Sequence, residues 1–128
     1  MDERTSEILN RFNKSWTDTE NRYNELIAMH PGWAKLNSLR QYIFRLKQEG
    51  ENDFFRAGTS MHALILSRSV DFGLRSDQKY LKIETIAIND FEVSLRDGEK
   101  VYREYRIKNL NDNKLANLLQ TLKRTLID

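Results

Sequence analysis

The stretch RAGTSMHALILSRS, residues 56–69, divides the chain into a helix-forming and a strand-forming part. Before this stretch, apolar residues recur every three or four positions, which is the spacing of an amphipathic helix. After Gly58, apolar and polar residues alternate, which is the period of a half-buried strand. Because helices and strands are segregated along the chain rather than alternating, the sequence predicts an α+β fold.

The segment 1–57 is predicted to form an N-terminal helical hairpin. Residues 2–29 contain neither Gly nor Pro, although a weakly apolar stretch allows a break near residues 15–18. Pro31 suits the first turn of a second helix, and Gly50 is a typical helix stop. The two predicted helices are therefore antiparallel neighbours joined by a short turn.

The segment 58–108 is predicted to form a four-stranded, mostly antiparallel meander. Its four strands are expected in HALILSRS, KYLKIETIAI, FEVSLRD and KVYREYRI. Asn89-Asp90 and Asp97-Gly98 are hairpin turn signals, since these residue types tolerate positive φ.

The register of the two hairpins follows from keeping apolar residues on one face. A two-residue turn at Asn89-Asp90 would pair Ile88 with Phe91, and would place Glu84 on the apolar face. In the next hairpin, a three-residue loop with Gly98 in the left-handed conformation keeps the apolar residues of both strands on one face. A two-residue loop would place those of the last strand on the polar face.

The segment 109–128 is predicted to be an amphipathic helix that packs on one face of the sheet. Asn111 is the predicted cap, because its side chain can bind a free amide of the first turn. The apolar stripe consists of Leu115, Leu118, Leu119, Leu122 and Leu126. We expect residues 1–128 to form a single domain, since the chain length suits one core.

Composition narrows the classes of function. The 128 residues carry 21 basic and 19 acidic side chains and no cysteine, which excludes disulfides, thiolate metal sites and cysteine nucleophiles. The first ten residues lack the features of a signal peptide, and the longest apolar run, ALIL, is far too short to span a membrane. These features predict a cytoplasmic protein that does not enter a membrane.

Catalytic chemistry has three weak candidates, Ser60, His62 and Arg68. On one strand, Ser60 and His62 would share a face with Cα atoms about 6.6 Å apart. Ser60, however, lacks the flanking glycines of a nucleophile elbow, and His30 and His62 have no metal-ligand spacing. We therefore predict no cofactor and no metal site, and an enzyme centred on His62 is the third hypothesis.

A partner-binding rim is the leading hypothesis. The connection VDFGLRSDQ, residues 70–78, presents apolar side chains in a loop, where they either cover the core or contact a partner. The predicted binding residues are Arg56, Arg68, Phe72, Leu74 and Arg75. The sequence thus favours a non-enzymatic module that binds another protein, of the adaptor, inhibitor or immunity type.

Two further interactions stay open. Nucleic-acid binding is the second hypothesis, and a strong fall of affinity with salt would favour it. It would use Arg56, Arg68, Arg75, Lys79 and Arg96, provided that folding gathers them. A homodimer through the N-terminal helices stays open as an alternative assembly.

Overall fold

The structure is a computed structural model that describes residues 2–70 and 79–125. Its elements in chain order are the helix α1 (Glu3–Met29), a 3-10 helix (Pro31–Leu36), α2 (Asn37–Gln48), a second 3-10 helix (Glu51–Asp53), the strands β1 (Arg56–Ser60), β2 (Ala63–Ser67), β3 (Lys79–Ala87), β4 (Asp90–Asp97) and β5 (Lys100–Ile107), and the helix α3 (Asn113–Lys123). Helices come first, a sheet follows and a helix ends the order, which confirms the predicted α+β fold.

The described residues form five strands, so the predicted count of four is wrong. Residues 56–69, in which only HALILSRS was predicted to be a strand, contain a hairpin in which Arg56 pairs with Ser67 and Ser60 with Ala63. The turn consists of Met61 and His62, and Met61 has φ of 58°. Neither residue is a usual turn former, which is why the pattern concealed the turn.

The five strands form one antiparallel meander in the order β1-β2-β3-β4-β5. In the β3–β4 hairpin, Ala87 pairs with Asp90, and a bulge lies between Thr85 and Ala87. The predicted pairing of Ile88 with Phe91 is therefore wrong, since Phe91 lies opposite Thr85.

The observed register of the β3–β4 hairpin also moves Glu84 off the apolar face. Ile83 pairs with Val93, and both are fully buried, whereas Glu84 pairs with Glu92 on the opposite face. The shift buries an isoleucine in place of a carboxylate, whose desolvation is costly.

The last hairpin confirms the prediction for Gly98, which has φ of 62°. The turn itself is shorter than predicted, because Asp97 pairs with Lys100 across two residues. The additional residue that brings the later side chains of β5 back to the apolar face is Tyr102, which lies at a bulge inside β5. Tyr105 consequently lies on the apolar face, opposite the buried Val93.

The N-terminal part differs from the prediction in the connection between its two helices. Helix α1 is continuous through residues 15–18, where a break was allowed. Pro31 begins a 3-10 helix rather than the second α-helix, which begins at Asn37. Gly50 ends this region with φ of 84°, in the left-handed conformation that glycine adopts without strain.

The core lies between the helices and one face of the sheet. Its largest fully buried side chains include Trp16, Tyr23, Phe12, Phe55 and Phe91. The cap of α3 is Asp112 rather than the predicted Asn111, since the Asp112 carboxylate accepts a hydrogen bond from Lys114 N–H. The predicted stripe on α3 is buried from Leu115 to Leu122, and Leu126 lies outside the described residues.

Helix α1 covers the outer edge of β1 with hydrogen bonds. The Ala57 N–H donates to Ser15 Oγ over 2.9 Å, and the Trp16 indole donates to the Phe55 carbonyl over 2.7 Å. At the hairpin turn, the Tyr23 hydroxyl donates to the His62 carbonyl over 3.1 Å. These bonds occupy main-chain groups that an edge strand otherwise leaves free.

Candidate functional site

The predicted binding rim begins at the open end of the β1–β2 hairpin. The Arg56 guanidinium donates to the Val70 carbonyl over 3.1 Å. The Arg68 guanidinium donates to the carbonyls of Phe54 and Thr125, over 2.6 and 3.2 Å. Both arginines thus tie main-chain segments together at this end. Partial burial also lowers the pKa of Arg68.

The remaining predicted rim residues, Phe72, Leu74 and Arg75, lie outside the described residues. The prediction that this rim binds a partner therefore stays a prediction.

Four cations of the nucleic-acid hypothesis, Arg56, Arg68, Lys79 and Arg96, share one end of the sheet, and Arg75 lies outside the described residues. Register places Arg56, Ser67, Tyr80 and Arg96 in one row across four strands. At about 4.8 Å per strand, the two arginines of this row are about 14 Å apart. Arg96 donates to Ser94 Oγ over 3.0 Å, and Lys79 begins β3 with an exposed side chain.

The three catalytic candidates do not lie together in one site. Ser60 ends β1, and His62 lies in the turn rather than on the same strand. Arg68 follows the far end of β2, about 20 Å from His62 at 3.3 Å per residue. The described part of the chain also contains no group of three or more His, Cys, Asp or Glu side chains that could hold a metal ion.

His62 has a structural environment. Its ring packs against Trp33 with ring centroids 4.1 Å apart, and its Nδ1 is buried without a hydrogen-bond partner. The other histidine, His30, accepts a hydrogen bond from Gly32 N–H at its Nδ1 over 2.9 Å. The Trp33–His62 contact brings the 3-10 helix after α1 against the β1–β2 turn.

Exposed apolar side chains lie at the same end of the fold as this contact. The β1–β2 and β3–β4 turns lie at the same end of the sheet, because β2 and β3 are adjacent and antiparallel. Met61 is 86% exposed, Ile88 76%, Met29 73% and Ile86 40%. We name these four residues together with Trp33 the apolar end.

A cavity opens into the apolar end. Its volume is about 480 Å³, and it is lined by Met29, His30, Gly32, Trp33 and Lys35. Two of the lining side chains are large and apolar, and Lys35 supplies a cation. The cavity is suited to an apolar side chain of a ligand, with a carboxylate beside it.

Met61 is the most unusual residue of the apolar end. A methionine with φ of 58° is strained, since the left-handed conformation favours glycine and asparagine. Its side chain is also the most exposed of the large apolar side chains in the described part of the chain. Neither the turn nor the core explains a methionine here.

The sequence alone did not predict the apolar end. Its members come from four separate segments, and only folding brings them together. The one local signal was Met61, an apolar residue inside the polar approach TSMHA.

Comparison of the chain with protein-family models, with curated proteins and with solved structures found no match. No helix within residues 2–70 and 79–125 is both long enough and apolar enough to cross a lipid bilayer. The functional argument therefore rests on the geometry of this chain.

Proposed function

We propose that this protein is a non-enzymatic module that binds another protein, and that the apolar end is its contact surface. The observation that carries the proposal is Met61, which is strained and 86% exposed in the free chain. The hairpin turn needs positive φ at this position, which glycine or asparagine would supply without strain, and strained residues cluster at functional sites. A partner that covers Met61 would give this residue a role.

The residue types of the apolar end suit protein recognition. Methionine side chains adapt to differently shaped partners, and tryptophan is enriched among residues that dominate binding energy. A cluster of exposed apolar side chains on an otherwise charged surface is typical of an interaction site. We expect the partner to insert a side chain of the size of Leu or Phe into the cavity between Met29 and Trp33.

Lys35 narrows the choice of partner segment. Its side chain lines the cavity, where a carboxylate next to the inserted apolar residue would pair with it. The partner segment is therefore expected to carry Asp or Glu near its apolar anchor. The absence of cysteine agrees with a reducing compartment, so we place this function in the cytoplasm.

Photo-cross-linking tests the proposal. A photoreactive residue in place of Ile88, which is exposed at the apolar end, should trap the partner in extracts of cells that express the protein. The same residue in place of Thr17, which is exposed on α1, serves as the control. The trapped protein is then purified, and its affinity for the wild-type chain is measured.

The deciding variant is Met61→Asn. Asparagine tolerates positive φ, so the free energy of unfolding should rise by on the order of 1 kcal/mol. Affinity for the partner should fall at least about tenfold, because the apolar contact is lost. The matched control is Phe44→Gln on α2, where an equally apolar side chain, 58% exposed, lies outside the apolar end.

Two results would overturn the proposed function. In one, no protein that is trapped at Ile88 binds the purified chain. In the other, the partner binds Met61→Asn as tightly as it binds the wild type. Trapping of a second copy of this chain would instead support a homodimer through this surface.

A further inference from the structure

The two edges of the sheet are treated differently. Helix α1 hydrogen-bonds to the main chain of β1 through Ser15 and to the main chain of Phe55, just before β1, through Trp16. At the other edge, residues Lys100–Glu104 of β5 are exposed, and no hydrogen bond of the described helices reaches the β5 main chain. Alternate N–H and C=O groups of β5 are therefore not bonded to β4, since an antiparallel strand bonds to its single neighbour through every second residue. Among the β5 carbonyls, that of Tyr102 accepts a hydrogen bond from the exposed Arg103 guanidinium over 3.4 Å.

The β5 edge is strongly basic. Residues 100–108 contain four cations and one anion, which are Lys100, Arg103, Arg106, Lys108 and Glu104. Asp90 partly neutralises two of the cations, because it accepts two hydrogen bonds from Arg106 over 2.8 and 2.9 Å and lies 3.5 Å from Lys108. Lys100 and Arg103 have no ion pair in the described part of the chain.

Because of the bulge at Tyr102, these two cations lie on the same face of the sheet. Lys100 pairs with Asp97, and Arg103 pairs with Leu95. Because residues 95 and 97 are two positions apart on β4, both cations lie on the same face of the sheet. A strand added to β5 would meet both of them with carboxylates at alternate positions.

We infer that the β5 edge binds an extended acidic segment of another protein, which joins the sheet as a sixth strand. The main chain of the segment pairs with the free groups of β5, and alternate Glu or Asp side chains pair with Lys100 and Arg103. A second copy of this chain fits less well, since it would bring one cationic edge against another. This surface lies at the edge opposite to β1, and the inference does not depend on the proposed function of the apolar end.

The experiment uses a labelled octapeptide that alternates Glu with Val, and a control peptide with Lys in place of Glu. Fluorescence anisotropy measures binding to the full chain, and amide chemical shifts locate it. The Glu peptide should bind and shift the amides of β5, and its affinity should fall as salt is raised. The Lys peptide should not bind.

Two peptides that are N-methylated at alternate residues, in opposite phases, separate strand addition from simple ion pairing. Only one phase faces β5, so one methylated peptide should lose at least about tenfold in affinity and the other should keep it. Equal affinities for the two phases would contradict the inference.

The matched protein variants carry the same change in net charge at different places. Lys100→Glu with Arg103→Glu should weaken the Glu peptide at least about tenfold. Arg4→Glu with Arg124→Glu, at exposed positions of the helical part, should bind it as the wild type does. Met61→Asn should also bind it normally, which distinguishes this inference from the proposed function.

Failure of the Glu peptide to bind would overturn the inference, and the basic edge would then serve only to keep sheets from joining. Concentration-dependent dimerisation that is lost in the Lys100→Glu, Arg103→Glu variant would also overturn it, in favour of a second copy at this edge.

Discussion

At the scale of single residues, the open face of the sheet brings carboxylates of neighbouring strands close together, and Glu84 of β3 lies directly opposite Glu92 of β4. Glu92 also pairs with Arg106 across β4 and β5, and Glu104 pairs with Ser94, which makes Glu104 the diagonal neighbour of Glu92 two residues along the strand. A hydrogen bond with the Glu104 side chain raises the pKa of Glu92, and desolvation adds to the effect. The folded state therefore holds the Glu92 proton more tightly than the unfolded chain does.

The raised pKa predicts a pH-dependent effect of Glu92→Gln. Wild-type stability contributed by Glu92 is present at acid pH and is lost as pH rises through its pKa, because two ionised carboxylates then repel. Glu92→Gln should therefore raise the thermal unfolding midpoint at pH 7. The gain should disappear below about pH 4, near the ordinary pKa of glutamate.

The control for this prediction is Glu99→Gln in the adjacent turn, where the side chain is exposed. It should change the midpoint little at either pH. A gain in Glu92→Gln that is the same at pH 3 and pH 7 would contradict the assigned role of Glu104.

At the scale of elements, one helix face closes one edge of the sheet. Ser15 is buried on α1, where its hydroxyl donates to the Phe12 carbonyl over 2.5 Å and accepts from Ala57 N–H. A residue that usually favours helix ends thus lies in a helix interior because its oxygen serves the neighbouring strand.

Ser15→Ala tests the closure of this edge. The substitution leaves the Ala57 N–H buried without an acceptor, which should lower the free energy of unfolding by about 1–3 kcal/mol. Urea unfolding of Ser15→Ala and of Thr17→Ala measures the effect, since Thr17 is exposed on the opposite side of the helix. Equal values for the two variants would show that this hydrogen bond does not stabilise the edge.

At the scale of the whole molecule, the core joins the last helix to the first strands and helices. Leu119 and Leu122 on α3 are buried in the same apolar cluster as Trp16 of α1 and Leu81 of β3. This continuity means that the ends of the chain depend on each other for burial.

Leu119→Ala and Leu122→Ala should each lower the free energy of unfolding by about 2–5 kcal/mol, because each leaves a cavity in the core. Chemical denaturation measures the loss, and Asn117→Ala on the exposed side of α3 is the control. Near wild-type midpoints for both leucine variants would contradict the packing of α3 on the sheet.

The sequence by itself determined the fold class and much of the element order. Helical spacing in the first 50 residues, alternation after Gly58 and the leucine stripe at the end each depend on neighbours within one element. The left-handed conformation of Gly98 was also predicted correctly, because Asp97-Gly98 is a local turn signal, although the loop is shorter than predicted.

Only the tertiary structure decided the fifth strand, the register and the surfaces proposed for binding. Met61 turns the chain without a turn-forming side chain, and Glu84 leaves the apolar face because a bulge near Ile86 buries Ile83 instead. Such choices depend on the energy of burial across strands, which no window of sequence contains. The apolar end and the free β5 edge exist for the same reason, because residues distant in the chain become neighbours, or stay uncovered, only when the sheet and helices pack.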